Sequence, residues 1–402
     1  MGMLSDVPED DRFDVLVIGS GASGLAAAVA AHRAGARVGL ATKGSIQACN
    51  SAKAQGGIQA AVGPDDSPEQ HAADVLRSSH ETANRDLVDV LTSEAPDAIA
   101  WLEELGVEFT REEDGSYRLA RCGGASAKRL LQVGDRTGNA ITNGLRKAVT
   151  ADGVEVVPNA PLRELEQTEN GWRASCNGHE LAASTVILAA GGRCFAEAEQ
   201  RGEFSTNHPY ATGEVTKIAL GLGAESRDLD ALQYHPNGGL WPETMQGYSI
   251  PETTRAYGAV LLNADGEEFT DSLGPRDEVA QAIVDEVGKG KGMKTPAGHD
   301  AVWLDTTRIP EHDAKLSLPY MLRRYRAGGI DPLAEKLLTY PVLHYQNGGL
   351  VIDTDAETTL EGLYACGEIA GGTHGRNRMM GNSLLECVVF GRRAGRAAAA
   401  RH

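Results

Sequence analysis

Closely paired cysteines are missing from this chain, which has six cysteines among its 402 residues but no C-x-x-C spacing. Iron–sulfur clusters and structural zinc ions are usually held by such pairs, so we predict neither kind of site and no metal-binding residues. We expect the six thiols to be reduced and mostly buried, as free cysteines are in cytoplasmic proteins.

Positive charge is also scarce, because 38 Lys and Arg residues stand against 56 Asp and Glu residues, for a formal net charge of -18. A nucleic-acid partner is therefore not expected, since phosphate binding needs a basic face. Runs of about 18 apolar residues are absent, so we expect no direct membrane insertion. Residues 1–12 are polar and acidic, unlike a secretory signal, and we predict a cytoplasmic location.

Glycine is abundant, with 48 copies that lie largely in short loop motifs. The apolar run Phe13–Ile18 leads into Gly19-Ser20-Gly21-Ala22-Ser23-Gly24, then an alanine-rich stretch and a second apolar run, Val38–Ala41. This order predicts strand, turn, helix and strand, with a helix N-terminus that binds the pyrophosphate of a dinucleotide. Thr42 and Lys43 stand where an acidic residue usually binds the ribose, so NAD and FAD both remain open at this point.

Two further buried strands end in glycine turns. Residues 186–190 (VILAA) precede Gly191 and Gly192, and residues 363–366 (LYAC) precede Gly367 and Glu368. Because the first and last of these turns are far apart in sequence, we predict one sheet that is interrupted by an insertion. The stretch 232–341 has its own pattern of aromatic residues and prolines and is predicted to be that insertion. A last helix is expected from residue 383 to about residue 401.

Four motifs carry a resemblance to a known family: AQGGI at 54–58, AIAWLEELGVEFTRE at 98–112, LGPRDEVAQA at 273–282 and NSLLECVVFGRRAG at 382–395. From residue 14 to about residue 396, the chain resembles the flavoprotein subunits of fumarate reductase and succinate dehydrogenase, together with L-aspartate oxidase. The resemblance implies an α/β fold in which a Rossmann-like FAD-binding domain (1–231 and 342–402) carries an inserted α+β capping domain (232–341). It also implies that the C-terminal helical domain of longer members is lacking.

FAD is the cofactor that the resemblance implies. We expect it to be bound non-covalently, because Asn50 stands where respiratory members carry the histidine that links the flavin. A helix N-terminus beside the isoalloxazine ring would favour the anionic reduced flavin. The residues to which FAD binding is carried over are Gly19, Gly21, Ser23, Gly24, Thr42, Lys43, Ser51, Gln55, Gly56, Gly57, Ala190, Gly191, Gly192, Glu368, Asn382, Ser383 and Leu384.

Fumarate-type chemistry needs a hydride from flavin N5, an acid that protonates the neighbouring carbon, and cations that bind two carboxylates. The resemblance supplies a candidate for each of the last two tasks. The matching substrate-binding residues are His235 in QYHP, His344 in HYQNGG and Arg378 in GRNR. The matching catalytic residues are Arg276 in GPRD, which would deliver the proton, and Glu252 and Arg255 in PETTR, which would resupply it.

Several positions depart from the family pattern where the substrate would lie. Pro251 and Asn237 replace threonines, and the turn Arg255-Ala256-Tyr257-Gly258 replaces Arg-Gly-Glu-Gly. Cys122 stands where L-aspartate oxidases carry a glutamate for the substrate ammonium, and a neutral thiol cannot replace that charge. We therefore rank fumarate reduction or succinate oxidation first and L-aspartate oxidase, which makes iminoaspartate for NAD biosynthesis, second. A flavin electron-transfer subunit without its own substrate is the third hypothesis.

Electrons would have to come from a partner, because no haem or cluster motif occurs in the chain. The candidates are an electron-donor protein subunit (iron–sulfur or other), a free reduced flavin and another soluble donor. A small dicarboxylate substrate would have to be bound by local arginines against the negative field of the whole protein.

Overall fold

The computed structural model describes residues 12–402, and residues 1–11, on which the secretory-signal expectation rests, lie outside this range. Strands in the described range form four sheets. In chain order they are β1 (Phe13–Ile18), β2 (Val38–Ala41), β3 (Ile58–Gln59), β4 (Leu130–Leu131), β5 (Glu155–Val157), β6 (Glu164–Thr168), β7 (Gly171–Cys176), β8 (His179–Leu188), β9 (Ser226–Arg227), β10 (Leu232–Gly239), β11 (Val260–Leu262), β12 (Met293–Lys294), β13 (Asp300–Asp305), β14 (Leu337–Gln346), β15 (Gly349–Val351), β16 (Leu363–Ala365) and β17 (Ala370–Gly371).

The helices range from single turns to the 18 residues of the last one. In chain order they are α1 (Ala22–Arg33), α2 (Asn50–Lys53), α3 (Pro68–Ser78), α4 (Arg85–Ser93), α5 (Ala95–Glu104), α6 (Thr137–Asp152), α7 (Cys194–Arg201), α8 (Glu214–Gly221), α9 (Thr253–Ala256), α10 (Arg276–Gly288), α11 (Glu311–Ser317), α12 (Pro319–Ala327) and α13 (Asn382–Ala399).

The largest sheet is built around β1, which pairs in parallel with β2 on one side and β8 on the other. β16, from near the end of the chain, also pairs in parallel with β8, so the prediction of one sheet interrupted by an insertion is confirmed. β5 extends the sheet beyond β2, and β7 and β6 extend it in antiparallel fashion beyond β8. The glycine turns after β1, β8 and β16 therefore lie at one edge, where α/β proteins bind ligands.

Helices α1 and α13 pack against each other at backbone distance. A Cβ atom at Gly391 would lie 2.6 Å from the carbonyl oxygen of Ser23, and one at Gly395 would lie 2.3 Å from that of Ala27. Glycine and alanine are thus needed along this contact, which explains the alanine-rich composition of α1. The two helices run in the same direction, so their N-termini point toward the same edge of the sheet.

The insertion forms a second, antiparallel sheet in the order β10, β14, β13 and β11, with β12 paired to β13. Its strands and helices α10 and α12 share a separate hydrophobic core that includes Ile283, Val302, Leu322 and Leu337. β10 and β14 lie at the two ends of the insertion and pair with each other. β14 continues to residue 346, so the predicted border at 341 falls inside this strand.

None of the helices between residues 12 and 402 is long and apolar enough to cross a membrane. The six cysteines are free, and four of them are buried, as predicted. In the described part of the chain, no group of three or more His, Cys, Asp or Glu side chains is placed to hold a metal ion.

Candidate active site

A cavity of about 770 Å³ is lined by residues of both sheets, a size suited to a large organic ligand. The predicted FAD-binding residues in its lining are Gly19, Gly21, Ser23, Thr42, Lys43, Ser51, Gln55, Gly56, Gly57, Ala190, Gly191, Glu368, Ser383 and Leu384. The predicted substrate-binding and catalytic residues in its lining are His235, Glu252, Arg276, His344 and Arg378. Four predicted residues do not line it, namely Gly24, Gly192, Arg255 and Asn382.

At one end of the cavity, helix α1 begins without a side-chain cap, because its N-cap residue is Gly21. The Ala22 N–H donates to Oγ of Ser51 at 3.1 Å, which leaves the rest of the first turn open to a ligand. Gly19 has φ 115°, and a Cβ atom there would lie 2.3 Å from the carbonyl oxygen of Ala189. This end of the cavity fits the pyrophosphate of a dinucleotide.

Gly24 and Gly192 serve packing just behind the wall. A Cβ atom at Gly24 would lie 1.9 Å from the carbonyl oxygen of Gly19, so this glycine lets α1 approach the turn after β1. A Cβ atom at Gly192 would lie 2.6 Å from Oε1 of Glu368, so this glycine makes room for that carboxylate. Neither glycine lines the cavity, and both allow close packing behind its wall.

Helix α8 brings a carboxylate to the end of β2. Lys43 forms an ion pair with Glu214, which also lines the cavity, while Oγ1 of Thr42 lies 2.7 Å from Oγ of Ser20. Glu214 stands 171 residues from Lys43 in the chain. Reasoning from sequence missed it, because no local motif links the two positions.

Glu368 projects into the cavity from the turn after β16. Its Oε1 accepts the backbone N–H of Gln346 at 3.0 Å. Burial raises the pKa of Glu368 to about 7, so near neutral pH its carboxyl group can donate or accept a hydrogen bond. A hydroxyl of a bound cofactor is a suitable partner for such a group.

Helix α13 also begins at the cavity without a side-chain cap, after Gly381 at φ 84°. Ser383 and Leu384 line the cavity, whereas Asn382 is fully buried and its Oδ1 accepts from Nε2 of His71 at 3.0 Å. Two uncapped helix N-termini, a glycine turn open to phosphate and a carboxyl group for a hydroxyl together fit FAD.

Asn50 holds a neighbouring loop by both atoms of its amide. Its Nδ2 donates to Oδ1 of Asn207 at 2.7 Å, and its Oδ1 accepts the N–H of His208 at 2.6 Å. The residue lines the cavity but offers no nucleophilic side chain for attachment of a flavin.

His235 and His344 meet on the neighbouring strands β10 and β14, with ring centroids 5.0 Å apart. Nδ1 of His235 accepts the N–H of Asn237 at 3.0 Å, and Nδ1 of His344 lies 2.6 Å from Oγ1 of Thr206. Burial first, and then the charge of Arg276, lower the pKa of both imidazoles well below the usual value. Both rings are therefore neutral at pH 7, and His235 has Nε2–H left to donate.

Arg276 is the first residue of α10 and is almost fully buried. Its Nε donates to Oε2 of Glu252 at 2.6 Å, and its Nη1 donates to Oε1 of Gln233 at 3.1 Å. Arg255 approaches the same Oε2 from behind the wall, with Nη2 at 3.5 Å. Burial opposes the charge on Glu252, but Arg276 and Arg255 outweigh it and lower the pKa of Glu252 to about 2.

Arg378 is 2% exposed, and its guanidinium carbon lies 4.2 Å from the ring centroid of Tyr345. Its Nη1 reaches only the carbonyl of Met379 at 3.4 Å and Oγ of Ser383 at 3.3 Å, while its Nε has no partner. No carboxylate pairs with it among residues 12–402. Burial, with help from Arg276, lowers the pKa of Arg378 to about 10, so it remains a cation at neutral pH.

The positions that depart from the family pattern are uncharged. Sγ of Cys122 accepts from Nε2 of Gln59 at 3.2 Å, and burial raises the pKa of this thiol to about 12, so it stays protonated. Asn237 is fully buried, and neither atom of its amide has a hydrogen-bond partner. Pro251 lines the cavity beside Glu252.

Two supporting side chains, Gln233 and Tyr345, were missed because their own motifs assign no chemistry to them. Nε2 of Gln233 donates to Oδ1 of Asn377 at 2.9 Å and to the carbonyl of Arg378 at 2.8 Å. Gln233 thereby joins the loop of Arg378 to Arg276. Its place two residues before His235, on the same face of β10, is the signal that could have identified it.

The fold and the cavity are those of an FAD-dependent oxidoreductase. The chain belongs to the FAD binding domain family, whose sequence pattern matches residues 14–384 and which includes L-aspartate oxidases and the flavoproteins of fumarate reductase and succinate dehydrogenase. The chain is 35% identical to L-aspartate oxidase of Streptomyces coelicolor, and the alignment covers 97% of this chain and 69% of that protein.

It is 34% identical to one subunit of the fumarate reductase (CoM/CoB) of Methanothermobacter marburgensis, over 96% of this chain and 72% of the relative. A mutant of E. coli quinol fumarate reductase superposes with a TM-score of 0.90 at 30% identity, over 97% of this chain and 70% of the other. Similar identities to both enzyme types leave the substrate to be argued from the site.

Proposed function

We propose that the protein interconverts fumarate and succinate, or a closely related pair of dicarboxylates, with non-covalently bound FAD. The observation that carries this proposal is the charge at one end of the cavity. The buried guanidinium groups of Arg255 and Arg276 share one carboxylate, that of Glu252, and the buried Arg378 pairs with no carboxylate among residues 12–402. A dianionic ligand would neutralise the excess positive charge and give Arg378 the partner that it lacks.

Binding of the two carboxylates is assigned to different groups. Arg378 presents a planar donor fork, held against Tyr345, to one carboxylate. The neutral rings of His235 and His344 flank the other, and the N–H of His235 points away from its Asn237 contact. FAD, when bound, supplies hydride transfer to or from the substrate at flavin N5.

Proton delivery is assigned to Arg276, because this guanidinium both lines the cavity and contacts Glu252. Oε2 of Glu252 lies between Nε of Arg276 and Nη2 of Arg255, so a proton lost by Arg276 can be replaced through this carboxylate. An arginine has a high ordinary pKa of about 12 or more, so this role depends on the carboxylate of Glu252, which can return the proton.

Electrons for the reduction would come from a donor protein, such as an iron–sulfur subunit, or from a soluble reduced carrier. In support, one relative is by name a single subunit of a fumarate reductase. Five of the six predicted side chains line one cavity, and the sixth, Arg255, contacts Glu252 behind its wall. This cluster favours substrate turnover over a pure electron-transfer role.

L-aspartate oxidase remains the second candidate, since several relatives at 35–36% identity carry that name. It is ranked lower because Cys122 is a neutral, buried thiol where recognition of the substrate ammonium would need a negative charge. The third candidate, an electron-transfer subunit, predicts that no dicarboxylate perturbs the flavin.

An anaerobic experiment separates the candidates. The protein-bound flavin is reduced and then offered fumarate, and its reoxidation is followed by absorbance. Rapid reoxidation supports the proposal, whereas peroxide formation with L-aspartate under air, without a response to fumarate, supports the oxidase. If neither occurs and no dicarboxylate shifts the flavin spectrum, the third candidate stands.

Arg378→Gln tests the binding role, and Arg376→Gln is its matched control. Arg376 lies two residues before Arg378 in the same loop. It is exposed and forms ion pairs with Asp228 and Asp230. We expect Arg378→Gln to weaken dicarboxylate binding by about 100-fold, the loss typical of a buried charge pair. Arg376→Gln should leave binding within about two-fold, because exposed ion pairs contribute little.

A further inference from the structure

The rim of the cavity, where α12 meets the start of α6, carries three arginines against two tyrosine rings. The guanidinium carbons of Arg136 and Arg323 lie 5.0 Å and 5.2 Å from the ring centroid of Tyr320. That of Arg324 lies 5.4 Å from the ring of Tyr248. Arg136, Arg324 and both tyrosines line the cavity, and Arg136 is exposed. We call these five residues the arginine rim.

The positive charges of the rim arginines are not neutralised by ion pairs in the described part of the chain. Within residues 12–402 none of the three arginines pairs with a carboxylate. By contrast, Arg326, which lies on α12 with Arg323 and Arg324, pairs with Asp331 at 3.1 Å. Asp135 lines the cavity here, but it is buried and its oxygens accept the N–H groups of Tyr320 at 2.8 Å and Met321 at 2.6 Å. Both of its oxygens are thus engaged by the first turn of α12, and Arg136 acts on its charge without a direct ion pair.

This local charge contrasts with the net charge of -18 on the whole chain. At long range such a protein repels a dianion, and a cationic rim around a cleft reverses the local field and raises the rate of encounter. We propose that the arginine rim is a capture site for the dianionic dicarboxylate, which it attracts before the ligand reaches Arg378 and the two histidines. This inference rests on the proposed function.

The rim is continuous with the interior of the cavity. The hydroxyl of Tyr248 donates to Oε1 of Gln55 at 2.6 Å, and Nε2 of Gln55 donates to the carbonyl of Ser249 at 2.9 Å. Tyr248, Ser249 and Gln55 all line the cavity, as do the proposed substrate-binding residues. Stacking on a ring leaves a guanidinium charged and orders its plane, so the rim can attract an anion without binding it tightly.

The test compares Arg324→Gln with Arg326→Gln in the FAD-loaded enzyme. Each substitution removes one positive charge from α12, but only Arg324 belongs to the rim. The kcat/KM for fumarate is measured with a reduced dye at several ionic strengths. We expect Arg324→Gln to lower kcat/KM by about 3- to 10-fold at low ionic strength, with kcat unchanged, and the double variant Arg136→Gln/Arg324→Gln to lower it further. Arg326→Gln should change it by less than about two-fold.

Salt distinguishes capture from other roles. At an ionic strength near 1 M the Debye length falls to about 3 Å, so wild type and rim variants should converge. A loss that persists at high salt, a fall in kcat, or equal effects of Arg324→Gln and Arg326→Gln would overturn the capture role while fumarate turnover by the wild type still stands. Absence of any response of the wild type to dicarboxylates would instead defeat the proposed function, and the capture role with it.

Discussion

The two ends of the cavity differ in the groups that they offer to a ligand: one end offers backbone groups and the other offers side chains. The glycine end uses backbone, namely the turn at residues 19–21 and the first residues of α1, which are contiguous in sequence. The arginine end uses side chains from separate segments, with Arg276, His344 and Arg378 brought together by tertiary structure. A backbone site fails when a glycine gains volume, whereas a side-chain site fails when one partner loses its charge or its geometry.

The largest expected effect tests the arginine end. Arg276→Gln removes the proposed proton donor, so kcat for fumarate reduction should fall by about 10³-fold, within the usual range for loss of an acid. FAD content should not change, because Arg276 lies at the other end of the cavity. Arg276→Lys keeps a charge but loses the fork that contacts Glu252 and Gln233, and it should also be strongly impaired. More than a tenth of wild-type kcat in the Gln variant would refute its role as acid.

The glycine end is tested by Gly24→Ala, with Gly221→Ala at the end of helix α8 as the matched control. Alanine normally favours a helix over glycine, so Gly221→Ala, with open space around the added carbon, should be neutral or stabilise by about 0.5–1 kcal/mol. At Gly24 the new carbon would meet the carbonyl oxygen of Gly19 at 1.9 Å. Gly24→Ala should therefore destabilise by about 3 kcal/mol and reduce FAD retention. Equal melting temperatures for the two variants would contradict the backbone argument.

A smaller effect is expected behind the arginine end. Tyr345→Leu removes the ring under Arg378, and KM for the dicarboxylate should rise by about 10-fold, the worth of a desolvated cation–π contact. Tyr345→Phe keeps the ring and loses only the hydroxyl, which donates to Glu386 at 3.2 Å. It should raise KM far less than Leu does. If Phe and Leu raise KM equally, the ring is not what supports Arg378.

The last prediction concerns pH and the FAD-free protein. The pKa of Glu368 is about 7 in the fold against about 4.3 in an unfolded chain, so between these values the native state holds more protons. Its contribution to stability is therefore present below pH of about 4.3 and is lost as pH rises toward 7. Glu368→Gln should remove this dependence, seen in urea unfolding at pH 5 and pH 8. Identical pH dependence in wild type and variant would refute the raised pKa.

The same contrast explains what could be predicted from sequence. β1, α1 and β2 were predicted almost to the residue, because a strand, a glycine turn and an alanine-rich helix follow one another without interruption. The arginine end was reached only through resemblance, since spacing alone does not place His235 beside His344. Glu214 and the arginine rim were not anticipated, because long-range packing, not a local motif, brings them to the cavity.

The order of the arginine end along the chain has a consequence for how such proteins diversify. The proposed carboxylate-binding residues His235, His344 and Arg378 lie before residue 240 or after residue 336. The proposed proton relay, with Glu252 and Arg276 at its centre, lies wholly between those points. If the segment between β10 and β14, which pair with each other, were exchanged, the proposed acid Arg276 would be replaced. The proposed carboxylate-binding residues would stay with the rest of the chain. On the proposed assignment, the proton relay and the carboxylate-binding residues therefore occupy separate segments of the chain.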